Sequence, residues 1–222
     1  MGKLIVFEGT DGSGKSTQFE LLAKRLEAEQ IGFQRLRFPQ YEEPSSALIR
    51  MYLGGAFGDD PEAVNAYAAS TFYAVDRYAS YQRVWKDYYQ GGGFVVSDRY
   101  TTSNAVHQGS KVPETERAEF FRWLYDLEYD RMGLPRPDLV VLLDMPVELS
   151  EQLMRKREQS TGTHADIHER DEDYLKKCRD VALHAAKYYG WRTVSCAKDG
   201  VIRGVEDIHG EVYAIVKSCL ED

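Results

Sequence analysis

Length, composition and charge exclude several classes of protein. The chain has 222 residues, 43% of them hydrophobic, which suffices for one sizeable core, and no linker divides it. With 28 basic and 36 acidic residues it carries a formal charge of -8 at pH 7, which disfavours non-specific binding to nucleic acid. Three scattered cysteines and no apolar run of bilayer length fit a soluble protein of a reducing compartment. We therefore expect one domain over residues 1–222 that is cytoplasmic and has no nucleic-acid or membrane partner.

Short apolar runs separated by helical patterns predict an α/β fold. Runs as apolar as "LIVF" and "LVVLLD" are typical of strands that are buried on both faces in a parallel sheet covered by helices. Five such strands are predicted, at residues 4–7, 33–38, 94–97, 139–144 and 192–196. Between the first two, the apolar residues from Phe19 to Leu26 recur every three or four positions, which predicts an amphipathic helix ending near Gly32.

Further helices are predicted later in the chain. The intervals 61–90, 113–132 and 205–219 have helical patterns, and the interval 147–190 is helical at both ends. The middle of that last interval, "EQSTGTHADIH", is polar, poor in apolar residues and contains a glycine. It is therefore predicted to be an exposed loop or lid.

One motif at the start of the chain points to a phosphate-binding site. The stretch "GTDGSGKST" matches the pattern G-x-x-x-x-G-K-[ST]. In this pattern backbone N–H groups surround the β-phosphate, the lysine reaches the β and γ oxygens, and the hydroxyl binds Mg²⁺. The motif lies between a strand and a helix, whose N-terminus favours an anion. The residues predicted to bind a nucleoside triphosphate are Gly9, Gly12, Ser13, Gly14, Lys15, Ser16 and Thr17.

Such a loop by itself leaves GTPases, ATPases, kinases and binding proteins open. The sequence has no guanine-reading N-K-x-D motif and no long apolar strand that ends in Asp-Glu. Other segments of the chain are needed to choose among the remaining classes.

Segments spread over almost the whole chain resemble the thymidylate kinase family. They are, in order, "FEGTDGSGKST", "RFPQY", "YAVDR", "DRYTTSNAVHQG" and "LLDMPVE". The resemblance implies a P-loop NTPase fold, that is, a three-layer α/β sandwich with a five-stranded parallel sheet flanked by helices and a mobile lid at about residues 148–170. It also implies ATP as phosphoryl donor, dTMP as acceptor, Mg²⁺ as cofactor and a homodimer.

The resemblance further implies which residues bind dTMP. Asp11 is expected to receive the sugar 3′-hydroxyl. Tyr73 and Arg77, four residues apart on one helix face, are expected to stack on the pyrimidine and to bond its O4 edge. The other residues expected at the phosphate, the base and the sugar are Arg37, Phe38, Tyr41, Arg99, Asn104 and His107. His107 lies where family members often carry an aromatic residue beside the 2′ side of the deoxyribose, so this difference bears on how 2′-hydroxyl substrates are excluded.

Catalytic roles are implied for charged residues next to the phosphates. Lys15 and Arg99 are expected to neutralise the donor and the acceptor phosphates, and Asp98 to organise Mg²⁺ together with Ser16. Because the loop "TDGSG" has no arginine, the resemblance implies that the lid supplies one. We select Arg155, with Arg157 and Arg170 as the other candidates.

Two alternatives to a dTMP kinase stay open at this point. The chain could be a kinase for another deoxynucleotide or for a deoxynucleoside, or a nucleotide-binding protein without turnover. A nucleoside kinase needs a carboxylate base for a neutral hydroxyl, so the positive charge of Arg37 and Arg99 disfavours it. Retention of Lys15 and Asp98 disfavours a protein without turnover.

Overall fold

The computed structural model describes residues 1–58, 60–161 and 172–221. Its strands are β1 (Lys3–Glu8), β2 (Gln34–Arg37), β3 (Phe94–Asp98), β4 (Leu139–Asp144), β5 (Arg192–Ser195), β6 (Ala197–Lys198) and β7 (Val201–Ile202). Its α-helices are α1 (Lys15–Ala28), α2 (Ala47–Leu53), α3 (Ala66–Ser80), α4 (Lys86–Gln90), α5 (Thr101–His107), α6 (Arg117–Tyr125), α7 (Val147–Thr161), α8 (Glu172–Tyr189) and α9 (Val205–Glu221). Two π-helical segments, Tyr81–Trp85 and Asp126–Arg131, directly follow α3 and α6.

Five strands form one parallel sheet in the order β2-β3-β1-β4-β5, flanked by helices, as the sequence predicted. Arg37 of β2 is in register with Asp98 of β3, and Asp144 of β4 is in register with Ser195 of β5. After β1 the chain crosses to β2 on one side of that strand, and after β3 it crosses to β4 on the other side, so its direction across the sheet reverses at β1. In such sheets ligands bind beyond the carboxyl ends of the strands at this reversal, which is where the phosphate-binding motif begins. The short strands β6 and β7 form a separate antiparallel pair.

The chain divides into two compact units, and neither is continuous in sequence. The first unit comprises Met1–Val6 and Gly32–Asp138, and the second comprises Phe7–Ile31 and Leu139–Asp222. The interpretation of residues 1–222 as one domain stays a prediction.

The first unit has an aromatic core built on β3. All five residues of β3 are buried. Trp85, at the end of the first π-helical segment, is fully buried and packs edge-on against Tyr81, with ring centroids 4.7 Å apart. Tyr100 is also fully buried and stacks on Tyr129. Tyr100 Oη donates a 3.2 Å hydrogen bond to the Pro135 carbonyl, whereas Trp85 Nε1 is buried without a hydrogen-bond partner among the described residues, so this core is held mainly by apolar contact.

The second unit packs α1, α8 and α9 around the second half of the sheet. The predicted apolar stripe of α1 is confirmed, since Phe19, Leu22, Ala23 and Leu26 are at most 3% exposed. A surface cluster joins α1 to α9, because the Arg25 guanidinium lies 3.4 Å from the centroid of the Tyr213 ring. In addition, Arg179 of α8 donates two hydrogen bonds to Asp144 at the end of β4, of 2.7 and 3.0 Å.

Several predictions of local structure are confirmed and some are wrong. β1, β3 and β4 are buried on both faces, but β2 and β5 expose alternate or adjacent residues because they are the outer strands of the sheet. The predicted helix 61–90 begins later, at Ala66, where the Asn65 side chain accepts a 2.9 Å hydrogen bond from the Ala68 amide and caps α3. The short helices α2 and α5 were not predicted.

The predicted lid falls partly on helix. The interval 148–161 belongs to α7, whereas residues 162–170 lie outside the described residues. Within the described ranges, no helix is both long enough and apolar enough to cross a membrane.

Candidate active site

The phosphate-binding motif of the second unit forms a tight loop between β1 and α1. Gly12 and Gly14 have φ values of 75° and 82°, a left-handed conformation that disfavours side chains. The Ser13 amide donates a 3.2 Å hydrogen bond to the Thr10 carbonyl, which closes the turn. Because these torsions require glycine, the spacing of the motif determines the shape of the loop.

This loop lines a cavity of about 320 Å³. The lining residues are Thr10, Asp11, Gly12, Ser13, Gly14, Lys15, Ser16, Thr17, Leu153 and Met154. All residues predicted for the triphosphate site except Gly9 lie on this cavity, and so does Asp11, which was predicted to contact the acceptor. Gly9 packs beneath the loop, since a Cβ there would lie 2.5 Å from the Ser13 hydroxyl and 3.2 Å from the Leu143 carbonyl.

The polar groups of this cavity suit a bound phosphate. Lys15 is only 8% exposed, so its ammonium lies in a partly desolvated setting. The buried Ser13 hydroxyl has no hydrogen-bond partner among the described residues. Gly14 caps α1 without a side-chain hydrogen bond, and the first turn of α1 has no acidic residue. The first-turn N–H groups and the positive end of the helix dipole therefore favour an anion here.

Helix α7 covers one side of the same cavity with apolar side chains. Leu153 and Met154 line the cavity, and a Cβ on Gly12 would approach the Ser150 carbonyl oxygen to 2.7 Å. This close approach explains a second requirement for glycine at this position, beyond its backbone torsion.

The predicted catalytic arginine Arg155 does not line this cavity. Its side chain is 76% exposed, and its Nη2 lies 3.5 Å from the Glu151 carboxylate one helical turn earlier. Leu153 and Met154 occupy the face of α7 that meets the loop, so the following residue points elsewhere. The side chain of Arg157 and the whole of Arg170 lie outside the described residues.

The oxygen atoms that the described residues offer at this cavity suit Mg²⁺ only when the ion is bound together with a nucleotide. Ser16 is exposed on the cavity and offers a hydroxyl oxygen. Within the described ranges, no group of three or more His, Cys, Asp or Glu side chains is placed to hold a metal. Mg²⁺ keeps several waters and is usually held by one or two protein oxygens plus substrate phosphates, and Ser16 meets that requirement.

The predicted acceptor residues of the first unit gather at the ends of β2 and β3. Arg37 Nε donates a 3.1 Å hydrogen bond to Asp98 Oδ2, with Arg37 60% exposed and Asp98 4% exposed. The next residue, Phe38, is buried and packs against Tyr100 with ring centroids 6.0 Å apart. Asp98 therefore holds the guanidinium of Arg37 at the strand ends, with most of that side chain still open to solvent.

Arg99 adopts an unusual backbone conformation that turns its side chain along α5. Its φ is 69°, which is uncommon for a residue other than glycine. Its Nη1 lies 2.9 Å from His107 Nε2 and 3.4 Å from Ser103 Oγ, so the guanidinium lies along the face of α5 that carries Ser103 and His107. For Arg99 to donate to it, His107 Nε2 must carry no proton.

Tyr73 lies amid several predicted acceptor residues. Its pKa is raised, mainly because burial disfavours the phenolate. Tyr41 and Tyr52 raise it further, while Arg77 and Arg99 oppose the shift. Four predicted dTMP residues, Tyr41, Tyr73, Arg77 and Arg99, therefore lie close enough to interact electrostatically, together with Tyr52, which was not predicted.

The loop that carries Tyr41 is held by side chains that the sequence did not single out. The buried Asp76 accepts a 2.8 Å hydrogen bond from the Gln40 amide and a 2.6 Å hydrogen bond from Ser45 Oγ. Arg50 Nη1 donates to the Tyr41 carbonyl at 2.6 Å. Asp76 precedes Arg77 in the segment "YAVDR", so this motif fixes the loop as well as presenting its arginine.

Arg77 is buried in a bidentate ion pair with Glu128. Its Nε and Nη2 each donate a 2.6 Å hydrogen bond to Glu128, and the side chains are 2% and 0% exposed. Burial alone lowers the pKa of Arg77, but the charge and hydrogen bonds of Glu128 outweigh it, so the pKa is raised. Asn104 is also buried and donates to the Ser70 carbonyl at 3.1 Å.

Glu128 is the main polar residue that the sequence analysis missed. A signal for it exists, because Glu128 lies four residues after the buried Leu124 and therefore continues the apolar face of α6 into the π-helical segment. A glutamate on a buried face needs a cationic partner. That the partner is Arg77, 51 residues away, is not readable from the sequence.

The fold and the loop together define the class of protein. A parallel sheet in which a central strand leads through a G-x-x-x-x-G-K-S loop into a helix, with a cavity on that loop, is a P-loop nucleotide-binding domain. The family model for thymidylate kinase matches residues 7–208, and the chain therefore belongs to the thymidylate kinase family. It is accordingly a nucleoside monophosphate kinase, a phosphotransferase.

The similarity to known members of this family extends over nearly the full length of the chain. The chain is 33% identical over 199 residues to thymidylate kinase of Mycobacterium tuberculosis, which covers 88% of this chain and 92% of that protein. It is 32% identical over 221 residues to a probable thymidylate kinase of Thermococcus gammatolerans, covering 98% and 97%. The structure of thymidylate kinase from Candida albicans superposes with a TM-score of 0.72 at 22% identity, covering 98% and 92%, and shows the same fold.

Proposed function

We propose that the protein transfers the γ-phosphoryl group of ATP to dTMP and forms ADP and dTDP, a step of dTTP biosynthesis. The observation that carries this proposal is the cavity on the P-loop with the nearly buried Lys15, in a chain of the thymidylate kinase family. An acceptor monophosphate has a second pKa near 6 and is already anionic at neutral pH, so no strong general base is needed. Catalysis then rests on positioning and charge neutralisation.

The second unit binds ATP in this proposal. The N–H groups of residues 12–17 surround the β-phosphate, and Lys15 neutralises the β and γ oxygens. Ser16 would hold Mg²⁺ together with the nucleotide phosphates, with Asp98 as the carboxylate for its bound water, and the ion would supply further charge neutralisation. Asp11 receives the 3′-hydroxyl of the acceptor.

The first unit binds dTMP. Arg37 is held by Asp98 with most of its side chain exposed, and Arg99 is held by His107, which suits both arginines to an incoming phosphate. Tyr73 stacks on the pyrimidine, and Arg77 and Asn104 read its edge. Phe38 and Tyr41 complete the pocket, and His107 limits the space beside the 2′ carbon.

A lid arginine completes the neutralisation of charge. For Arg155 to take this role it must leave Glu151 and turn toward the cavity, because its side chain is exposed to solvent on α7. Replacing Arg155 with Ala tests this role directly, since a side chain that never reaches the phosphates leaves kcat unchanged.

The assembly and location of the enzyme are also proposed. We infer a cytoplasmic homodimer with no nucleic-acid or membrane partner, built from one P-loop domain per chain. In support of the dimer, the neighbouring helices α2 and α3 each expose two apolar side chains, and the two on each helix are about one turn apart. They are Leu48, Met51, Val75 and Tyr78, which are 40–48% exposed. Light scattering after size exclusion measures the mass, and V75E is expected to shift it to that of one chain.

Coupled ADP release with ATP and Mg²⁺ tests the proposed reaction. The acceptors to compare at equal concentration are dTMP, dUMP, dCMP, dGMP, UMP and thymidine. A clear preference for dTMP is expected. If thymidine or UMP is the preferred acceptor, the acceptor site has been assigned to the wrong substrate. If ATP binds but no acceptor is phosphorylated, the protein is a nucleotide-binding protein without turnover.

A further inference from the structure

The buried carboxylate of Glu128 receives four hydrogen bonds from three side chains of the first unit. Oε1 accepts from Arg77 Nη2 at 2.6 Å and from Asn104 Nδ2 at 3.4 Å. Oε2 accepts from Arg77 Nε at 2.6 Å and from Thr101 Oγ1 at 2.7 Å. A carboxylate has about four acceptor positions, so Glu128 is fully used inside the protein. Its role is therefore to orient these partners rather than to contact a ligand.

This arrangement determines which groups Asn104 offers. Its Nδ2 donates to the Ser70 carbonyl at 3.1 Å and to Glu128 Oε1, so both N–H groups of the amide are engaged. A flipped amide would place its oxygen against a carbonyl and a carboxylate, which is repulsive. Asn104 is thus held with its acceptor oxygen Oδ1 as the group left for a ligand.

Arg77 is held with the opposite polarity. Of its five N–H groups, Nε and Nη2 donate to Glu128, and Nη1 donates to the Tyr100 carbonyl at 3.3 Å. One N–H on each terminal nitrogen remains. Arg77 therefore offers donors while Asn104 offers an acceptor, and the same carboxylate fixes both.

We propose that Glu128 is a positioning residue that sets the base specificity of the acceptor site by orienting Arg77 as donor and Asn104 as acceptor. This inference rests on the proposed function, in which these two residues read the pyrimidine. A thymine or uracil edge presents the O4 acceptor beside the N3 donor and matches this polarity. A cytosine edge presents the N4 donor beside the N3 acceptor and opposes it at both positions.

The substitution Glu128→Gln keeps the size of the side chain and changes its polarity. In either orientation the amide directs an N–H group at Arg77 Nε or Nη2, so the guanidinium loses one of its two bonds and turns. Since one good bidentate contact to a base discriminates by about 1–3 kcal/mol, we expect the preference for dTMP over dCMP in kcat/KM to fall at least about tenfold. The KM for dTMP should rise while the KM for ATP stays unchanged.

The test of this role is to measure kcat and KM of wild type and E128Q with dTMP, dUMP and dCMP. The dTMP-to-dUMP ratio is the internal control, because these acceptors differ by one methyl group and share the same hydrogen-bonding edge. The matched protein control is D126N, which lies in the same π-helical segment but exposes its ion pair with Arg131 to solvent. A second variant, E128D, retains the charge that Arg77 needs for folding but shortens the reach toward Asn104, and carries the test if E128Q does not fold.

The outcomes separate the inference from the function on which it rests. A fall in the dTMP-to-dCMP ratio with a constant dTMP-to-dUMP ratio supports a role for Glu128 in specificity. An unchanged dTMP-to-dCMP ratio, or an equal fall in both ratios, would overturn it and leave Glu128 a stabilising residue only. A wild-type enzyme that uses dCMP as well as dTMP would contradict the proposed function itself.

Discussion

The two units hold their charged sites by different physical means. In the second unit the candidate phosphate site is built from consecutive residues, and its shape follows from two glycines with positive φ and the start of α1. In the first unit the site depends on side chains far apart in the chain, such as Arg77 and Glu128, which meet only in the folded interior. A site formed by the backbone can therefore be recognised from a local sequence motif. A site formed by side chains depends on residues that are far apart in the chain and are buried together only in the folded protein.

The largest expected effect concerns the charge at the centre of the backbone site. Replacing Lys15 with Ala should lower kcat by on the order of 10³-fold, because removing a group that neutralises transferring phosphate oxygens costs that much or more. The coupled ADP assay measures this. Replacing Lys24 with Ala, exposed on the same helix, provides the control and should leave kcat within about twofold. Turnover by the Lys15 variant within tenfold of wild type would remove Lys15 from the mechanism.

Burial should decide the strength of the bidentate ion pairs in the two units. Arg77→Met leaves Glu128 buried without its cation and should lower the free energy of unfolding by about 3–5 kcal/mol. Arg179→Met breaks a pair of similar geometry with Asp144, but Arg179 is 29% exposed and Asp144 16% exposed, so about 1 kcal/mol is expected there. Urea denaturation of both variants measures the difference. Equal losses would show that burial does not separate the two pairs.

Two glycines of the P-loop separate backbone strain from steric contact. Alanine at either Gly12 or Gly14 must adopt positive φ, which costs about 1–2 kcal/mol. At Gly12 the added Cβ also meets the Ser150 carbonyl at 2.7 Å, whereas at Gly14 nothing lies within 4 Å. We expect Gly12→Ala to destabilise the protein by a further 1–3 kcal/mol or so, as overpacking does. A smaller loss for Gly12→Ala than for Gly14→Ala in urea denaturation would mean that α7 moves away at little cost.

The smallest expected effect is a pH dependence within the first unit. Lys111 donates to Tyr52 Oη at 2.6 Å and to the Val64 carbonyl at 3.0 Å, and its burial lowers its pKa to about 8, with Glu62 and Asp60 opposing the shift. Since the folded pKa lies below the ordinary value, the unfolded chain binds more protons between these two values, and stability rises with pH across that window.

The stability of wild type relative to Lys111→Met should therefore increase as the pH is raised from about 7.5 to about 9.5. Guanidinium denaturation of both proteins at each pH measures this. A difference that is constant or falls with pH would show that Lys111 keeps its ordinary pKa in the folded state.

The sequence was informative wherever the signal was local. All five strands of the sheet, the stripe on α1 and the phosphate loop were predicted at nearly their observed positions, because periodicity and glycine spacing act over a few residues. The boundaries of α3 and the helices α2 and α5 were not predicted. A cap such as Asn65 and a seven-residue helix give weak patterns, and packing decides whether they form.

Within the candidate site the same division holds. Tyr73 and Arg77 were predicted from their spacing and from the resemblance, but the burial of Arg77 against Glu128 was not. Arg155 was chosen because the resemblance implies an arginine in the lid, and the structure places its side chain on the exposed face of α7 beside Glu151. Asp76 was quoted within a motif, yet its hydrogen bonds to Gln40 and Ser45 are visible only in the folded loop.

The sequence by itself determined the class of this protein, because a P-loop is a contiguous stretch whose glycines, lysine and hydroxyl carry their own geometry. It also determined the parallel sheet, because its central strands β1, β3 and β4 are buried on both faces and must therefore be apolar. Only the tertiary structure decided which groups the proposed acceptor site presents. The direction of a buried donor or acceptor depends on partners such as Glu128, Ser70 and Tyr100, which folding brings together from distant parts of the chain.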